Sequence, residues 1–421
     1  MERKIYNDLL KWKKSIKKPL LLYGTKQIGK TFSVLEFGKK YYKNIVYFNL
    51  DNNKEVVDIL KREKSPERLI VKLSVLSGET ILKDDTLIIL DNADDLYVVK
   101  TIKLFGEENH YHIIMITSRK ENLSKFKGEE LAFKAMYPMD FEEFLINAEK
   151  QQLVDFIKDS YLNNTAMPFH QVALELYNDY LITGGYPEVV EAYLKGFDEY
   201  YLDAIKQKII DTMKRETLHC YNLIDISRSN EVLNSLAEQL LKENKKFQYG
   251  NIKKGSRSKD YETSINFLGI NSIIHRSFKL NDIKSPLSSF KDVESFKLYA
   301  NDVGILYTMM HLNKNKFLSD NNIRRDLIEN DVANTLINFG YSLYYYQSEG
   351  KTEINFIIQN RMGEIIPMEI ANMNLSKAKA LSLFTSKFKV STSIRITEDN
   401  FGKKKNIRYI PVYAVFCLKD L

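Results

Sequence analysis

The stretch that most constrains this chain is PLLLYGTKQIGKTFSVLEF, Pro19 to Phe37. Pro19 to Tyr23 is a short apolar run ended by Gly24, the pattern of a buried strand. Gly24 to Thr31 then fits G-x-x-x-x-G-K-[ST], and Phe32 to Lys40 continues with helical spacing. Strand, loop and helix arrive in the order a phosphate-binding loop requires. Two glycines let backbone N–H groups turn inward onto phosphate oxygens, and the helix adds its positive dipole end. The expected nucleotide contacts are Gly24, Thr25, Lys26, Gln27, Ile28, Gly29, Lys30, Thr31 and Phe32. Lys30 would meet the β- and γ-phosphates of ATP, and the Thr31 hydroxyl would bind Mg²⁺.

A second apolar run, Thr86 to Asp91 (TLIILD), ends in an acid. In P-loop ATPases such a strand-end Asp holds Mg²⁺, directly or through water, so Asp91 joins Thr31 on the metal side and its strand is expected beside the P-loop. Asn44 to Leu50, His112 to Ser118 and Leu131 to Met136 read as three further strands, and Lys54 to Arg62 as a helix. Tandem βα units of this kind imply a parallel sheet with helices on both faces.

At 421 residues the chain exceeds one hydrophobic core, and two to four domains are expected at about 150 residues each. Its net charge of +7 permits contact with nucleic acid without arguing for it. Cys220 and Cys417 are isolated, form no metal spacing and fit a reducing compartment. The six histidines include no H-x-x-x-H pair, and His110 and His112 read as surface or structural residues. The amino terminus is a charged amphipathic helix without an apolar h-region, and no run reaches the ~20 apolar residues of a membrane span. A cytoplasmic protein without membrane contact is the expectation.

Beyond Asp140 the pattern turns helical up to about Lys245, broken at Gly184-Gly185-Tyr186-Pro187, where Gly185 reads as a helix C-terminal residue and Pro187 as a first turn. Residues 140–245 are read as a helical lid or connector. Residues 246–323 open with a basic turn and a helix from about Ser258 to Leu268, then strand-like Ile273 to Leu280. That order suits a winged helix, with Lys253, Lys254, Arg257 and Lys259 near the amino end of a helix that could meet DNA phosphates; a packing domain with a solvated basic turn fits equally. Residues 324–421 read as a separate αβββαββ domain: a helix Arg324 to Phe339, strands Ser342 to Gln347, Glu353 to Gln359 and Ile365 to Ile370, a helix Lys377 to Phe388, then strands Ser393 to Thr397 and Arg408 to Phe416.

In order along the chain stand YGTKQIGKT, LIILDNADD, MYPMDFEEFL, LITGGYPEVV, PLSSFKDVESFKLYANDVGILY, LIENDVANTL, YYYQSEGKTEINFII, IIPMEIANM and IRYIPVYA. With these landmarks the chain resembles prokaryotic AAA-superfamily P-loop ATPases that carry a carboxyl-terminal, restriction-endonuclease-like domain of unknown function. The resemblance implies an α/β protein: a P-loop ATPase domain over 1–139, the helical and winged-helix middle, and a second α/β, nuclease-like domain. In hydrolysing relatives the residue after Asp91 is usually Glu. Here it is Asn92, whose amide can orient a water but cannot take its proton. Asp94 and Asp95 follow, read as one helical step further on. Thr117-Ser118-Arg119 lie where such ATPases sense the γ-phosphate.

The resemblance also implies E-x-D followed one strand later by E-V-K in the carboxyl-terminal domain, acids for Mg²⁺ and an ammonium for the water or scissile phosphate. This chain has Glu353-Ile354-Asn355 and Glu369-Ile370-Ala371. Glu329 and Glu369 remain, short of the hard-oxygen set Mg²⁺ prefers. The expected function is therefore an ATP·Mg²⁺-binding switch, with Lys30, Asp91 and Asn92 at the reaction centre, slow hydrolysis and a degenerate nuclease-like domain. A DNA-binding or DNA-processing protein regulated by ATP is the alternative. A protein partner or a homo-oligomer is a further expected contact, with Arg119, Arg215 and Arg257 as unranked arginine-finger candidates.

Overall fold

The structure, a computed structural model, describes residues 1–15, 18–104, 111–120, 131–219, 222–348, 353–371 and 379–421. Cys220 and His110 lie outside the described residues. The described chain divides into two compact units, residues 1–137 with 270–272, and residues 138–269 with 273–421.

The first unit contains α1 (Ile5–Ser15), β1 (Leu20–Tyr23), α2 (Lys30–Tyr41), β2 (Asn44–Asn49), α3 (Lys54–Arg62), α4 (Pro66–Ser77), β3 (Thr86–Asp91), α5 (Leu96–Ile102), β4 (His112–Thr117) and β5 (Ala132–Ala135). Its five strands lie in the order β2-β3-β4-β1-β5 and every pairing is parallel. Every residue of β3 and β4 is buried, as continuous apolar runs covered on both faces must be. Leu21, Ile88, Leu90, Ile113 and Met115 share one core with Val56 and Leu60 of α3, Leu69 and Leu73 of α4, and Val98 and Ile102 of α5. α2 packs across the sheet so closely that a Cβ on Gly38 would come within 2.8 Å of the Ile45 side chain.

Two details depart from the reading of the sequence. First, β4 lies between β3 and β1 in the sheet, an order the sequence reading did not state. Second, α4 is an additional helix. Its start carries a local signal: the Ser65 hydroxyl accepts from the Arg68 N–H, Pro66 follows, and Gly78 closes the helix at φ 70°. His112 is a structural residue, its Nδ1 2.7 Å from the Tyr42 hydroxyl and its ring 5.7 Å from that of Trp12.

The second unit begins with α6 (Phe141–Asn147), α7 (Gln151–Asn163), α8 (His170–Thr183), α9 (Pro187–Leu194), α10 (Glu199–Glu216) and α11 (Leu223–Leu240). Then come α12 (Ser258–Ile270), β6 (Ile274–Leu280), β7 (Lys291–Ala300), α13 (Val303–Met309), α14 (Lys314–Ser319) and α15 (Asn321–Asn338). The last elements are β8 (Tyr344–Gln347), β9 (Glu353–Gln359), β10 (Ile365–Ile370), α16 (Lys379–Phe388), β11 (Ser393–Thr397), β12 (Gly402–Lys404), β13 (Ile407–Pro411) and a 3-10 helix Val412–Asp420. Eight strands form one mixed sheet in the order β12-β13-β11-β10-β9-β8-β6-β7. The β6–β7 hairpin, which follows α12, joins this sheet through a parallel pairing of β6 with β8.

The expected strand Arg408 to Phe416 is a strand only to Pro411. Proline supplies no N–H, and Val412 onward winds into a 3-10 helix whose apolar residues are buried. A short apolar run does not by itself distinguish a strand from a buried helix. β12 was not anticipated. The start of α16 expected at Lys377 lies outside the described residues.

The GGYP break is a packing joint. The Asp302 carboxylate caps α13 by accepting from the Ile305 N–H at 3.0 Å, and also accepts from the Gly185 N–H at 2.7 Å. A Cβ on Gly185 would lie 2.0 Å from the Met139 carbonyl oxygen, and one on Gly304 2.4 Å from that of Thr183. Burial pushes the Asp302 carboxyl up to about 6.

Candidate nucleotide-binding site

β1 ends at Tyr23, and Gly24 donates its N–H to the Thr117 carbonyl at 3.3 Å, so the loop starts from the end of β4 as well as β1. A Cβ on Gly24 would stand 2.2 Å from the Met136 carbonyl oxygen. Gln27 takes φ 64°, and Gly29 takes φ 88° as the residue before α2, a left-handed conformation that glycine adopts without a Cβ penalty. These turns wrap the loop around the amino end of α2, whose first N–H groups have no partner within the helix.

Lys30 is buried, and its ammonium donates to the carbonyls of Gly24 at 2.8 Å and Thr25 at 2.7 Å. The Thr31 hydroxyl donates to Asp91 Oδ2 at 2.8 Å. The same oxygen accepts from the Tyr47 hydroxyl at 2.9 Å, while Asp91 Oδ1 accepts from the Asn92 N–H at 2.9 Å. Thus Thr31, in the first turn of α2, meets Asp91 at the end of β3, although β3 is not the neighbour of β1 in the sheet. Two hard oxygens in direct contact suit a small divalent cation, so the residues fit Mg²⁺. Burial, then the Asp91 charge, pushes the Tyr47 hydroxyl up to about 12, so it stays a neutral donor.

Of the other loop residues, Thr25 and Ile28 are buried, Lys26 is half-buried, and Gln27 and Phe32 are exposed. The Ile28 carbonyl accepts from Arg3 Nη1 at 2.7 Å, and Arg3 Nη2 reaches the Tyr137 carbonyl at 2.7 Å. Arg3 thereby braces the back of the loop. Neither Arg3 nor Tyr47 was singled out in the sequence, since no local spacing links them to the motif.

Asn92 has φ 54°, and its amide donates to Asn49 Oδ1 at 3.1 Å, toward β2. Asp94 and Asp95 are not a helical step further on. They precede α5, and Asp95 caps it by accepting from the Tyr97 N–H at 2.8 Å and pairs with Lys61 at 2.6 Å. Asp94 turns toward β4, where it accepts from the Thr117 hydroxyl and pairs with Arg119 Nε at 3.1 Å. Arg215 and Arg257 both lie in the second unit, and the Arg215 guanidinium donates to Thr212 Oγ1 at 3.0 Å.

The carboxyl-terminal acids stand in a different setting. Glu329 is buried, and one oxygen accepts from Lys245 Nζ at 2.7 Å and Asn355 Nδ2 at 3.1 Å. The other accepts from Lys297 Nζ at 3.1 Å and the Tyr299 hydroxyl at 2.8 Å. Lys245 also pairs with Asp326 at 2.6 Å, and Lys297 with Glu353. Both Glu329 oxygens are therefore committed to protein donors, and the residues do not fit a metal there. Glu369 is paired in register with Arg395 across β10 and β11, and Ala371 donates its N–H to the Ile396 carbonyl at 2.8 Å. Among the described residues no group of three or more His, Cys, Asp or Glu side chains could hold a metal ion.

Comparison with known proteins follows this division. Residues 16–145 match an AAA domain. The match supports an AAA-superfamily P-loop ATPase, a class that binds nucleotide, usually with Mg²⁺. Residues 174–316 match a domain of unknown function, DUF8612, and residues 325–415 match another, DUF4143. No curated protein matches the chain. Among solved structures, one described as "Structure of Drosophila ORC bound to DNA" aligns with 70% of this chain and 90% of that chain at 12% identity. Its TM-score is 0.23, and that likeness carries no argument. Among the described residues no helix is long and apolar enough to cross a membrane.

Proposed function

We propose that the chain binds ATP·Mg²⁺ at the P-loop and works as a nucleotide-dependent switch with weak hydrolysis. The observation that carries this reading is the bond from the Thr31 hydroxyl to Asp91, beside a loop whose Lys30 ammonium is held among the loop carbonyls. Bound phosphates offer Lys30 anionic oxygens in place of neutral carbonyls, and charge-assisted bonds are roughly twice as strong. Mg²⁺, when bound, supplies charge neutralisation at the phosphates; Thr31 and Asp91 would hold it. Calorimetric titration with ATP checks the reading. Asp91→Asn is expected to remove most of the Mg²⁺-dependent part of the affinity, and wild-type affinity that does not respond to Mg²⁺ overturns it.

In this reading residues 140–245 are the helical connector, 246–323 the winged-helix-like part and 324–421 the nuclease-like domain, which cuts nothing. The saturation of Glu329 by four donors supports that last statement. Plasmid and single-strand DNA are expected to survive incubation with Mg²⁺ or Mn²⁺, with and without ATP. Cleavage that disappears in Glu369→Ala would reverse it.

A second reading, DNA binding under ATP control, rests on one surface. Lys253, Lys254, Arg257 and Lys259 are all exposed, and no acid occurs between Asn244 and Lys259. Each phosphate contact gives a salt slope of about −0.9 in log affinity. A slope steeper than about −2 that Lys253→Ala, Lys254→Ala flattens supports it; a flat slope rejects it. A protein partner or second copy remains the other candidate effector.

A further inference from the structure

We infer that Asp94, not Asn92, is the carboxylate that takes the proton of the attacking water in ATP hydrolysis; the inference rests on the ATP-binding reading above. The backbone directs the two side chains to opposite sides. Asn92, at φ 54°, sends its amide toward β2, to Asn49. Ala93 then donates its N–H to the Ile116 carbonyl at 2.8 Å, which fastens the turn to the end of β4, and the Asp94 N–H closes it on the Asn92 carbonyl at 2.8 Å.

β4 is the strand that pairs with both β3 and β1. Its last residue, Thr117, joins the two halves of the site: the carbonyl accepts from the Gly24 N–H at the start of the P-loop, and the hydroxyl donates to Asp94. Asp94 is therefore linked to the start of the P-loop through Thr117, while Asp91 meets Thr31 directly. Asn49, the partner of Asn92, ends β2, the edge strand farthest from β1 on that side. Of the acids after β3, Asp95 is occupied in capping α5 and pairing Lys61.

The chemistry balances. The water oxygen attacks the γ-phosphorus, and its proton passes to the Asp94 carboxylate. The bond from the γ-phosphorus to the β–γ bridging oxygen breaks, its electron pair leaves with ADP, and the proton on Asp94 is then returned to the released phosphate or to solvent. Thr117 and Arg119, which bond and pair with the carboxylate, are positioning residues.

The experiment measures ATP turnover and, separately, ATP affinity by calorimetry on the full chain. A positioned base contributes about 10²–10⁴-fold, so Asp94→Asn is expected to lower kcat by about 100-fold with ATP affinity held within about threefold. Asp94→Glu recovers part of the rate, and Asp95→Asn, which keeps a capping oxygen, leaves kcat unchanged. Thr117→Val, which keeps the shape and removes the donor, lowers kcat without raising the dissociation constant and serves if Asp94→Asn does not fold. Wild-type turnover in Asp94→Asn, or affinity lost in step with kcat, overturns the inference. Intact ATP binding with no wild-type turnover also overturns it while sparing the ATP-binding reading. Absence of ATP binding in the wild type ends both.

Discussion

Lys30→Ala is expected to lower ATP affinity by about 30-fold to several thousand-fold. The ammonium is buried, and truncating one partner of a buried, hydrogen-bonded charge pair costs about 2–5 kcal/mol. At about 1.4 kcal/mol per tenfold, that range sets the loss. The fold should persist, with a smaller penalty. In the free protein Lys30 bonds two loop carbonyls, at 2.8 and 2.7 Å, and their loss costs on the order of 1–2 kcal/mol because water reaches the emptied loop. Calorimetry with a thermal melt separates the two effects. Unchanged affinity in a folded Lys30→Ala protein would remove the P-loop from the function altogether.

Glu329→Ala is expected to destabilise the second unit by about 3–5 kcal/mol, the range for breaking a buried ion pair from one side. Four donors lose their acceptor together: Lys245, Lys297, Tyr299 and Asn355. Lys245 keeps Asp326 and Lys297 keeps Glu353, which holds the cost within that range. Adding Lys297→Met and Tyr299→Phe to Glu329→Leu should recover part of the loss, because the orphaned charge and hydroxyl go with their partner. Chemical denaturation measures both.

The same cluster has a pH signature. Burial alone would raise the Glu329 carboxyl, but the Lys245 and Lys297 ammoniums outweigh it and hold the group well below its ordinary value of 4.5. That stabilisation is present above pH 4.5 and is lost as pH falls below it. Burial alone would lower the Lys297 ammonium, but Glu329 and Glu353 raise it above its ordinary 10.5. Its contribution is complete below pH 10.5 and lost as pH rises further. Glu329→Ala should therefore cost most between these limits, and the difference from wild type should narrow in acid. A cost independent of pH would mean that packing, not charge, holds the site.

The phosphate loop was legible because its determinants are local. Gly24, Gly29, Lys30 and Thr31 act through backbone turns and a helix start within one short segment. The buried strands Thr86–Asp91 and His112–Thr117 were legible for a similar reason, since a run covered on both faces must be apolar throughout. The caps at Asp302 and Ser65 are just as local, a side chain meeting an N–H three residues away, yet the helices they start were not read from the sequence.

What the amino-acid order left open are partners rather than elements. A strand's pattern states that both faces are buried but not which strand lies beside it, so the place of β4 between β3 and β1 came only from the tertiary structure. The same holds for β6, read as strand-like over Ile273 to Leu280: its antiparallel partner β7 and its place in the sheet, through the parallel pairing with β8, came from the tertiary structure. The apolar run Val412 to Phe416 could be strand or helix until its neighbours were known. Charges follow the rule most strictly. Arg3 reaches the Ile28 carbonyl, Lys245 and Lys297 converge on Glu329, and Asp94 turns to Thr117 rather than along α5. Local sequence sets a side chain's range and sign. Only the folded chain, by excluding water and bringing distant segments within about 3 Å, decides which opposite charge or donor it meets.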